Sequence, residues 1–322
     1  MSEIFKTGIL EPEDFSPKAI NEIGQLGTVE LFDAAGAKDE ELRERIADFI
    51  EDKTAVFIRL AHYIDDELIK NARDLKYICS PTTGLNHINV TRPGVQVISL
   101  KGEYEFLSSI RATPEHVFGM SLGLLINYSH AFLNENNTVW DRDLYKGYEI
   151  YGPNIGIIGL GRVGKIIAGY FEAFGANVHY YDTTSYPEYE SRYDKRNTLT
   201  DLIDIADMVI LCVNYTPENE NMIGAYEFAC MDGKYFINAA RGELVSEEAL
   251  IMALKTNTLK GAAIDVLKDE AHGDNKLDEL IALQKKHNLI ITPHIGGATY
   301  TSMQRTEEFI AGKLKKEVVN KQ

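Results

Sequence analysis

Three glycines near the middle of the chain have the spacing of a phosphate-binding turn. Gly159, Gly161 and Gly164 form the pattern G-x-G-x-x-G directly after the apolar run at residues 155–158. In such a turn the first glycine permits a tight bend, the second lets a pyrophosphate approach the backbone, and the third lets the next helix pack closely on its strand. Residues 162–174 are predicted to form that helix, whose N-terminal N–H groups would attract phosphate. A glycine pattern alone also fits an ordinary turn between a strand and a helix.

An acidic residue at the end of the following strand indicates which nucleotide binds. Asp182 lies eighteen residues after Gly164 and directly follows a predicted strand at residues 177–181. A carboxylate in this place can accept hydrogen bonds from a ribose diol, and it repels the additional phosphate of NADP. Because the strand, the glycine turn, the helix, the second strand and the acid occur in this order, the sequence predicts NAD as the cofactor.

Arg241, Glu270 and His294 occupy equivalent places in the second half of the chain. Each lies beyond the end of a predicted strand, at residues 234–238, 259–264 and 289–292. In an open parallel sheet ligands bind at the carboxyl ends of the strands, which is also the edge that carries the glycine turn. We therefore expect the three side chains to converge on the nicotinamide end of the cofactor. Taken singly, each could be an ordinary solvated residue, and Asp269 competes with Glu270.

These residues belong to a set of motifs that resembles the NAD-dependent D-2-hydroxyacid dehydrogenases over nearly the whole chain. Besides the glycine turn, the motifs are Thr83-Gly84-Leu85-Asn86-His87-Ile88, Pro114-Glu115-His116, Asn238-Ala239-Ala240-Arg241-Gly242, Asp265-Val266 leading to Glu270, and Thr292-Pro293-His294-Ile295-Gly296-Gly297. The resemblance implies that Arg241, Glu270 and His294 are the catalytic residues. The predicted cofactor contacts are Gly159, Gly161, Arg162, Val163, Gly164, Asp182, Asp265, Gly296 and Gly297. The predicted substrate contacts are Arg59, Thr83, Gly84, Arg241 and His294, and no metal ligand is predicted.

The chemistry of this family suits the three residue types. A 2-hydroxy acid that loses a hydride from its carbinol carbon must also lose the hydroxyl proton. Neutral His294 could take that proton, and its imidazolium could return it in the reverse reaction. Glu270 on the other ring nitrogen would fix the tautomer and favour the charged ring. Arg241 could bind the substrate carboxylate through two hydrogen bonds and polarise the carbonyl oxygen.

Several residues resemble the phosphoglycerate dehydrogenase branch of the family. Arg59 ends a predicted strand and matches an arginine that binds the distal phosphate there, although an arginine at a strand end can also be solvated. The sequence ends soon after its last predicted helix, so we expect no regulatory domain. The segment at residues 100–111 departs from the family pattern. Its Lys101 and Arg111 could contact an acidic substrate or only solvent, which leaves a specialised hydroxy acid, including one from a sugar pathway, open.

A second function of another class is also compatible with the motifs. NAD(H)-sensing interaction proteins, such as the family's transcriptional corepressors, share this fold. The intact arginine, glutamate and histidine favour an enzyme, but those corepressors retain the same three residues. The sequence alone therefore predicts a dehydrogenase and keeps a corepressor-like sensor as the alternative.

Strand and helix patterns alternate along the chain, which predicts α/β architecture with parallel sheets covered on both faces. We expect two doubly wound parallel-sheet domains with a cleft between them. A flavodoxin-like substrate domain would comprise residues 1–110 and 300–322, and a Rossmann NAD-binding domain residues 111–299. A helix at residues 66–72, with Asp65 as its N-cap, and one long crossover helix at residues 114–132 are also predicted.

Composition and charge narrow the range of partners. The net charge of the 322-residue chain is −16, which argues against a nucleic-acid partner. No apolar run is long enough to span a membrane, and the N-terminus lacks the pattern of a secretion signal. The three cysteines are scattered, which favours reduced thiols and a cytoplasmic location. The expected partners are a small anionic 2-hydroxy acid and, as the resemblance implies, a second copy of the chain in a homodimer.

Overall fold

The computed structural model describes residues 4–133, 142–270 and 276–321. The chain divides into two compact units. The first comprises Met1–Ile110 together with Ala298–Gln322, and the second comprises Arg111–Gly297. Among the described residues, no helix combines the length and the apolar character needed to cross a lipid bilayer.

Parallel strands form the centre of the first unit. These strands are β1 (Phe5–Ile9), β2 (Gly27–Leu31), β3 (Ala55–Phe57), β4 (Ile64–Asp65), β5 (Tyr77–Ser80), β6 (Ile88–Asn89) and β7 (Gln96–Ser99). Five of them form one sheet in the order β2-β1-β3-β5-β7, and β4 pairs with β6 in a small separate sheet. The order of the larger sheet is that of flavodoxin-like folds.

Helices cover both faces of this larger sheet. Its central strands β3 and β5 are therefore buried on both sides. They are α1 (Pro17–Gly24), α2 (Asp39–Ile50), α3 (Tyr104–Ser108) and the C-terminal helix Tyr300–Asn320. Ile23 of α1 and Leu314 of the C-terminal helix belong to the core on one face. Ile46 and Ile50 of α2 belong to the core on the other face.

Seven parallel strands form the sheet of the second unit. They are β8 (Asn154–Ile158), β9 (Asn177–Tyr181), β10 (Asp194–Lys195), β11 (Met208–Leu211), β12 (Lys234–Asn238), β13 (Leu259–Ile264) and β14 (Leu289–Ile291). Their order is β10-β9-β8-β11-β12-β13-β14, the doubly wound order of dinucleotide-binding sheets. Asn238, Ile264 and Ile291 pair across the last three strands. The segments that follow β12, β13 and β14 therefore start side by side at one edge.

Eight helices in the described part of the second unit surround this sheet. They are α4 (Ala112–Leu125), α5 (Tyr128–Leu133), α6 (Arg162–Ala173), α7 (Pro187–Glu190), α8 (Leu199–Ile205), α9 (Ala225–Ala229), α10 (Glu247–Lys255) and α11 (Leu277–Gln284). Buried residues form one core cluster on each face of the sheet, one containing Phe236 and Leu250, the other Leu124 and Phe171. The predicted α/β class, with two doubly wound parallel sheets, is confirmed.

Two local predictions were wrong. Residues 66–72 form turns rather than a helix, and Asp65 lies in β4, where its Oδ1 accepts the Leu68 N–H at 2.8 Å. The predicted helix at residues 114–132 is two helices, α4 and α5. Asn127 separates them with φ of 64°, a left-handed conformation that ends a helix.

Candidate active site

The three glycines of the phosphate-binding turn differ in what surrounds them. Gly159 has φ of 94°, and a Cβ atom there would lie 2.9 Å from the Cys212 carbonyl oxygen. A Cβ atom at Gly164 would lie 2.2 Å from the Gly159 carbonyl oxygen, so the start of α6 packs directly on the turn. At Gly161 no described atom comes within 4 Å of the Cβ position. The first and third glycines are thus required by packing, and the second leaves the backbone open to a ligand.

Asp182 is held against the glycine turn by backbone hydrogen bonds. Its Oδ2 accepts the Leu160 N–H at 2.7 Å, and its Oδ1 accepts the Thr184 N–H at 2.7 Å. Because each carboxylate oxygen has two lone pairs, the group can accept further hydrogen bonds from ribose hydroxyls. The carboxylate is therefore in place at the end of β9, and its orientation is fixed by the chain itself.

His294 and Glu270 form a close pair after β14 and β13. The His294 Nδ1 lies 2.6 Å from the Glu270 Oε2, and the Glu270 Oε1 accepts the Leu267 N–H at 2.8 Å. Within the described residues the His294 Nε2 has no hydrogen-bond partner. When Nδ1 donates to the carboxylate, Nε2 of the neutral ring is a proton acceptor. Of the two acids weighed for this place, Glu270 is the one that contacts the ring.

The backbone of His294 is unusual for a residue other than glycine. Its φ is 53°, in the left-handed region. The conformation is held by the His294 N–H, which donates to the Asp265 carbonyl oxygen at 2.7 Å and to the Thr292 carbonyl oxygen at 3.0 Å. Strained backbone of this kind is concentrated at functional sites.

The turn that carries Arg241 packs on the segment that carries Glu270. Asn238 fixes this turn, because its Oδ1 accepts the Ala240 N–H at 3.0 Å and its Nδ2 donates to the Arg241 carbonyl oxygen at 2.9 Å. A Cβ atom at Gly242 would lie 2.0 Å from the Leu267 carbonyl carbon, so only glycine fits there. In the described part of the chain, Arg241 forms no ion pair with a carboxylate and donates to the Ala240 carbonyl oxygen. The structure records no direct contact from Arg241 to His294 or Glu270 among these residues.

Asp265 is buried beneath the His294 turn. Its Oδ1 accepts the Thr292 hydroxyl at 2.6 Å and the Ile295 N–H at 2.8 Å, and its Oδ2 accepts the Gly296 N–H at 2.9 Å. His116 Nε2 lies 3.2 Å from Oδ1. Burial raises the pKa of Asp265, but these hydrogen bonds, that of His116 first, outweigh it and hold the pKa below its usual value.

Asp265 has a structural role in the turn next to His294 that the sequence did not indicate. We predicted a cofactor contact, and its oxygens instead accept hydrogen bonds that shape the turn next to His294. Its contact with NAD stays a prediction, as does that of the exposed Gly297. His116 is also part of this network.

Glu247 also fixes part of the site, and the sequence analysis did not single it out. Its Oε1 accepts the Lys268 N–H at 2.9 Å, and its Oε2 accepts the Lys276 N–H at 3.1 Å. Glu247 therefore anchors both described flanks of the segment that follows Glu270. An acid in the first turn of a helix is common because it stabilises the helix dipole, so the sequence contained no signal for this additional role.

In the first unit, Thr83 and Gly84 lie in the loop after β5. The Thr82 hydroxyl donates to the Gly84 carbonyl oxygen at 2.8 Å and fixes the loop. Among the described residues neither the Thr83 nor the Gly84 N–H donates a hydrogen bond, so both are available to an anion. His87 of the same loop is only 9% exposed, and its Nε2 lies 3.2 Å from the Ser80 hydroxyl.

Arg59 of the first unit has partners within that unit. Its Nη2 lies 2.6 Å from Oε1 of Glu307, a fully buried residue of the C-terminal helix, in an ion pair without the alignment of a hydrogen bond. Its Nη1 donates to the Glu13 carbonyl oxygen at 3.1 Å, and its guanidinium lies over the Phe15 ring. The charge of Arg59 is thus matched by Glu307, and a substrate phosphate would have to compete for it.

Comparison with known proteins identifies the family. Residues 118–296 match the family model described as D-isomer specific 2-hydroxyacid dehydrogenase, NAD binding domain. The chain belongs to this family. The enzyme is therefore an NAD-dependent D-2-hydroxyacid dehydrogenase, and its cofactor is NAD.

Relatives of this dehydrogenase differ in the substrate for which they are named. It is 31% identical to D-3-phosphoglycerate dehydrogenase of Methanocaldococcus jannaschii over 96% of the chain, and it spans 57% of that protein's length. It is 30% identical to glyoxylate reductase of Pyrococcus furiosus over 95% of the chain and 92% of the relative. A solved structure, the NAD-complexed form of the D-isomer specific 2-hydroxyacid dehydrogenase of Lactobacillus delbrueckii ssp. bulgaricus, shares 26% identity. It aligns with a TM-score of 0.71 over 98% of this chain and 97% of that one.

The glycine turn and Asp182 of this dehydrogenase fit a dinucleotide. The turn is open at Gly161, the N-cap of α6, which has no side chain to cap the helix. The twelve-residue helix would thus present its N-terminal end to a pyrophosphate. The fixed Asp182 carboxylate suits the two hydroxyls of an unmodified ribose.

Glu11 provides a stability prediction for the loop that contains Arg59. Its carboxylate is buried and accepts the Arg59 N–H at 2.8 Å and the Ala61 N–H at 3.1 Å. Burial raises the pKa of Glu11 from 4.5 to about 7, despite these two hydrogen bonds. Because the folded-state pKa is raised, its contribution to stability is complete below pH 4.5 and is lost as the pH rises through about 7.

We expect Glu11→Gln to remove this part of the pH dependence. In the wild type the contribution lost over this range is about 1–3 kcal/mol. Urea denaturation followed by circular dichroism on both sides of the range measures it, and Glu44→Gln is the control at an exposed acid of the same unit. Equal pH profiles for wild type and Glu11→Gln would show that Glu11 does not titrate there.

Proposed function

We propose that this dehydrogenase interconverts a short D-2-hydroxy acid and its 2-oxo acid, with Arg241, Glu270 and His294 as its catalytic residues. The observation that carries the proposal is the 2.6 Å pair of His294 and Glu270. This pair follows β14 and β13 at the same sheet edge as the glycine turn. In this assignment the second unit is the NAD-binding domain and the first unit is the substrate domain.

Each catalytic residue has a defined role in the oxidation. NAD, when bound, accepts the hydride that leaves the carbinol carbon. His294 Nε2 takes the hydroxyl proton, so that the carbon–oxygen bond becomes a carbonyl. Glu270 holds the Nδ1–H and stabilises the imidazolium that forms. Arg241, which has no carboxylate partner of its own in the described chain, binds the substrate carboxylate and polarises the oxygen at C2.

The contacts of Arg59 favour a substrate without a distal phosphate. Arg59 is the residue predicted to bind such a phosphate, and its charge is matched by Glu307 at 2.6 Å. The relative named glyoxylate reductase, which matches over most of both chains, supports a short 2-oxo acid. Thr83 and Gly84 stay predicted carboxylate ligands, and their amides have the free donors that this role needs.

A spectrophotometric screen tests the proposed substrate class. NADH absorbance is followed with glyoxylate, pyruvate, hydroxypyruvate and its 3-phosphate, and 3-phosphoglycerate is tested with NAD in the reverse direction. We expect consumption with the short 2-oxo acids and a lower kcat/KM with the phosphorylated one. The highest kcat/KM for the phosphorylated acid would overturn the substrate class. Tight NADH binding without consumption by any acid would instead support an NAD(H)-sensing interaction protein.

Asp182 is expected to set the preference for NAD over NADP. Asp182→Asn keeps acceptor oxygen beside Leu160 and removes the negative charge, so the ratio of kcat/KM for NADH to that for NADPH should fall about tenfold or more. The matched control is Asp204→Asn, at an exposed acid of the same unit. An unchanged ratio would remove Asp182 from the ribose site.

A homodimer and a cytoplasmic location also belong to the proposal. The rings of Tyr128 and Phe132 stack at 5.0 Å on the outer face of α5, and Phe132 is 77% exposed. Exposed apolar surface of this kind is often covered by a partner. All three cysteines are free, which suits a reducing compartment. Sedimentation at the mass of one chain would exclude the dimer.

A further inference from the structure

A positively charged groove lies in the second unit, away from the candidate active site. Its volume is about 330 Å³, and it is lined by Tyr235 of β12, by residues at the start of β13 and by the turn before β14. These positions are the amino ends of the strands, whereas Arg241, Glu270 and His294 follow the carboxyl ends. Since β13 has six residues, the two edges are about 20 Å apart. The groove is thus separate from the place where the dehydrogenase reaction is proposed.

The charge of the groove is opposite to that of the whole protein. Five of its lining residues are basic, and none of those within the described ranges is acidic. The basic residues are His130, Lys146, Lys260, Lys286 and His287. In a chain with a net charge of −16, a concave surface whose described charged side chains are all positive concentrates anions locally. We call these five residues and the space between them the basic groove.

The cations of the basic groove are mostly not neutralised by the protein. Within residues 4–133, 142–270 and 276–321, neither Lys260 nor Lys286 pairs with a carboxylate, and only Lys146 does, with the exposed Asp143 at 2.8 Å. Lys260 is held over the Tyr148 ring, 3.3 Å from its centroid, and lies 5.3 Å from the centroid of Tyr235. The rings hold the ammonium in place without cancelling its charge.

The pKa of His287 reflects the positive potential of the basic groove. Burial lowers the pKa of His287, and the positive charges of His130 and Lys286 lower it further. His130 lies on α5 between the stacked Tyr128 and Phe132, which share the exposed face of that helix. Residues two apart point to different sides of a helix, and His130 accordingly is half-buried and lines the groove. The titratable side chains that line the groove together with His287 are thus cations and tyrosines.

We propose that the basic groove is a binding site for a multiply charged small anion, a phosphate ester or a polycarboxylate. The ammonium groups of Lys260 and Lys286 supply the charge, and the imidazoles of His130 and His287 line the same space. The volume is at the lower end of the range for small-molecule sites, which suits a compact metabolite rather than a dinucleotide. The site does not depend on the proposed dehydrogenase chemistry, since it uses none of the same residues.

Isothermal titration of the NADH-saturated protein with inorganic pyrophosphate, and separately with citrate, tests this site. Saturation with NADH keeps the probe from the glycine turn. Lys286→Glu is compared with Lys285→Glu, which makes the same change in net charge at an exposed residue outside the groove. We expect saturable binding to the wild type, weakened about tenfold or more by Lys286→Glu and less than about twofold by Lys285→Glu.

The two probes distinguish the sources of the anion. Tighter binding of pyrophosphate supports a phosphate ester, and tighter binding of citrate supports a polycarboxylate. The ring resonances of His130 and His287 should shift on binding, and Lys286→Gln replaces Lys286→Glu if the charge reversal impairs folding. No saturable binding of either probe up to about 10 mM overturns the proposal, since that limit corresponds to less than about 3 kcal/mol of binding free energy. An equal loss in Lys285→Glu also overturns it, since only general electrostatics would then operate.

Discussion

Replacing His294 by asparagine is expected to lower kcat by about 10²–10⁴-fold while the affinity for NADH is kept. The imidazole is the only group paired with Glu270 that offers a free proton acceptor, at Nε2, in the described site. Asparagine is the suitable replacement because His294 has φ of 53°, and asparagine tolerates the left-handed region better than other residues of its size. The loss therefore reports on proton transfer rather than on backbone strain.

Three measurements separate a catalytic role of His294 from a structural one. Steady-state rates give kcat, NADH fluorescence titration gives the affinity for the cofactor, and thermal unfolding shows whether the fold is kept. Glu270→Gln keeps a hydrogen-bonding oxygen near Nδ1 and removes the charge, so its loss of kcat should be smaller. Near-normal turnover of His294→Asn would reject His294 as the acid and base.

Sequence patterns predicted the sheets well because burial on both faces leaves a strong signal. Strands such as β11 and β14 are uninterrupted apolar runs, and runs of this kind predict buried strands. The glycine turn was predictable because its spacing is a local pattern, in which the first and third glycines are required by packing and the second leaves room for a ligand. The order of strands and helices then placed Arg241, Glu270 and His294 after neighbouring strands.

Local breaks in helices were less predictable. The sequence at residues 114–132 is mostly apolar, and a break of two residues, Ile126 and the left-handed Asn127, separates α4 from α5. Asparagine is tolerated inside helices as well as at their ends, so its presence does not decide between the two. The turns at residues 66–72 have helical spacing of apolar residues, and Asp65 accepts the Leu68 N–H as an N-cap would, but the segment forms only turns.

Contacts between residues far apart in the chain could not be predicted from the sequence. Glu307 is fully buried next to Arg59 and also accepts the Ser16 N–H at 2.7 Å, from a position 291 residues away. No pattern along one chain indicates such a partner, so the sequence left Arg59 as either a substrate ligand or a solvated residue. Glu247 escaped notice for the same reason, and the role of Asn238 within its motif was not predicted, because both act by fixing other residues of the site.

Replacing Arg241 by lysine is expected to lower kcat/KM for the 2-oxo acid by about 10²–10⁴-fold, since two charge-assisted hydrogen bonds of about 1.5–3 kcal/mol each are affected. Lysine keeps the charge but loses the planar pair of donors that matches a carboxylate. The turn itself should persist, because Asn238 holds it through backbone groups that the substitution leaves unchanged. Arg192→Lys, at an exposed arginine paired with Glu172, is the matched control and should change kcat/KM less than about twofold.

The division of the Arg241→Lys effect between KM and kcat shows what the guanidinium does. A rise in KM alone would mean that Arg241 binds the carboxylate equally in the ground state and the transition state. A fall in kcat as well would mean that it also stabilises the charge that develops on the oxygen at C2. We expect both changes, because the fork can reach the carboxylate and the adjacent oxygen together. Wild-type values of both constants would exclude Arg241 from the site, since no compensating cation lies in the described segment that follows β12.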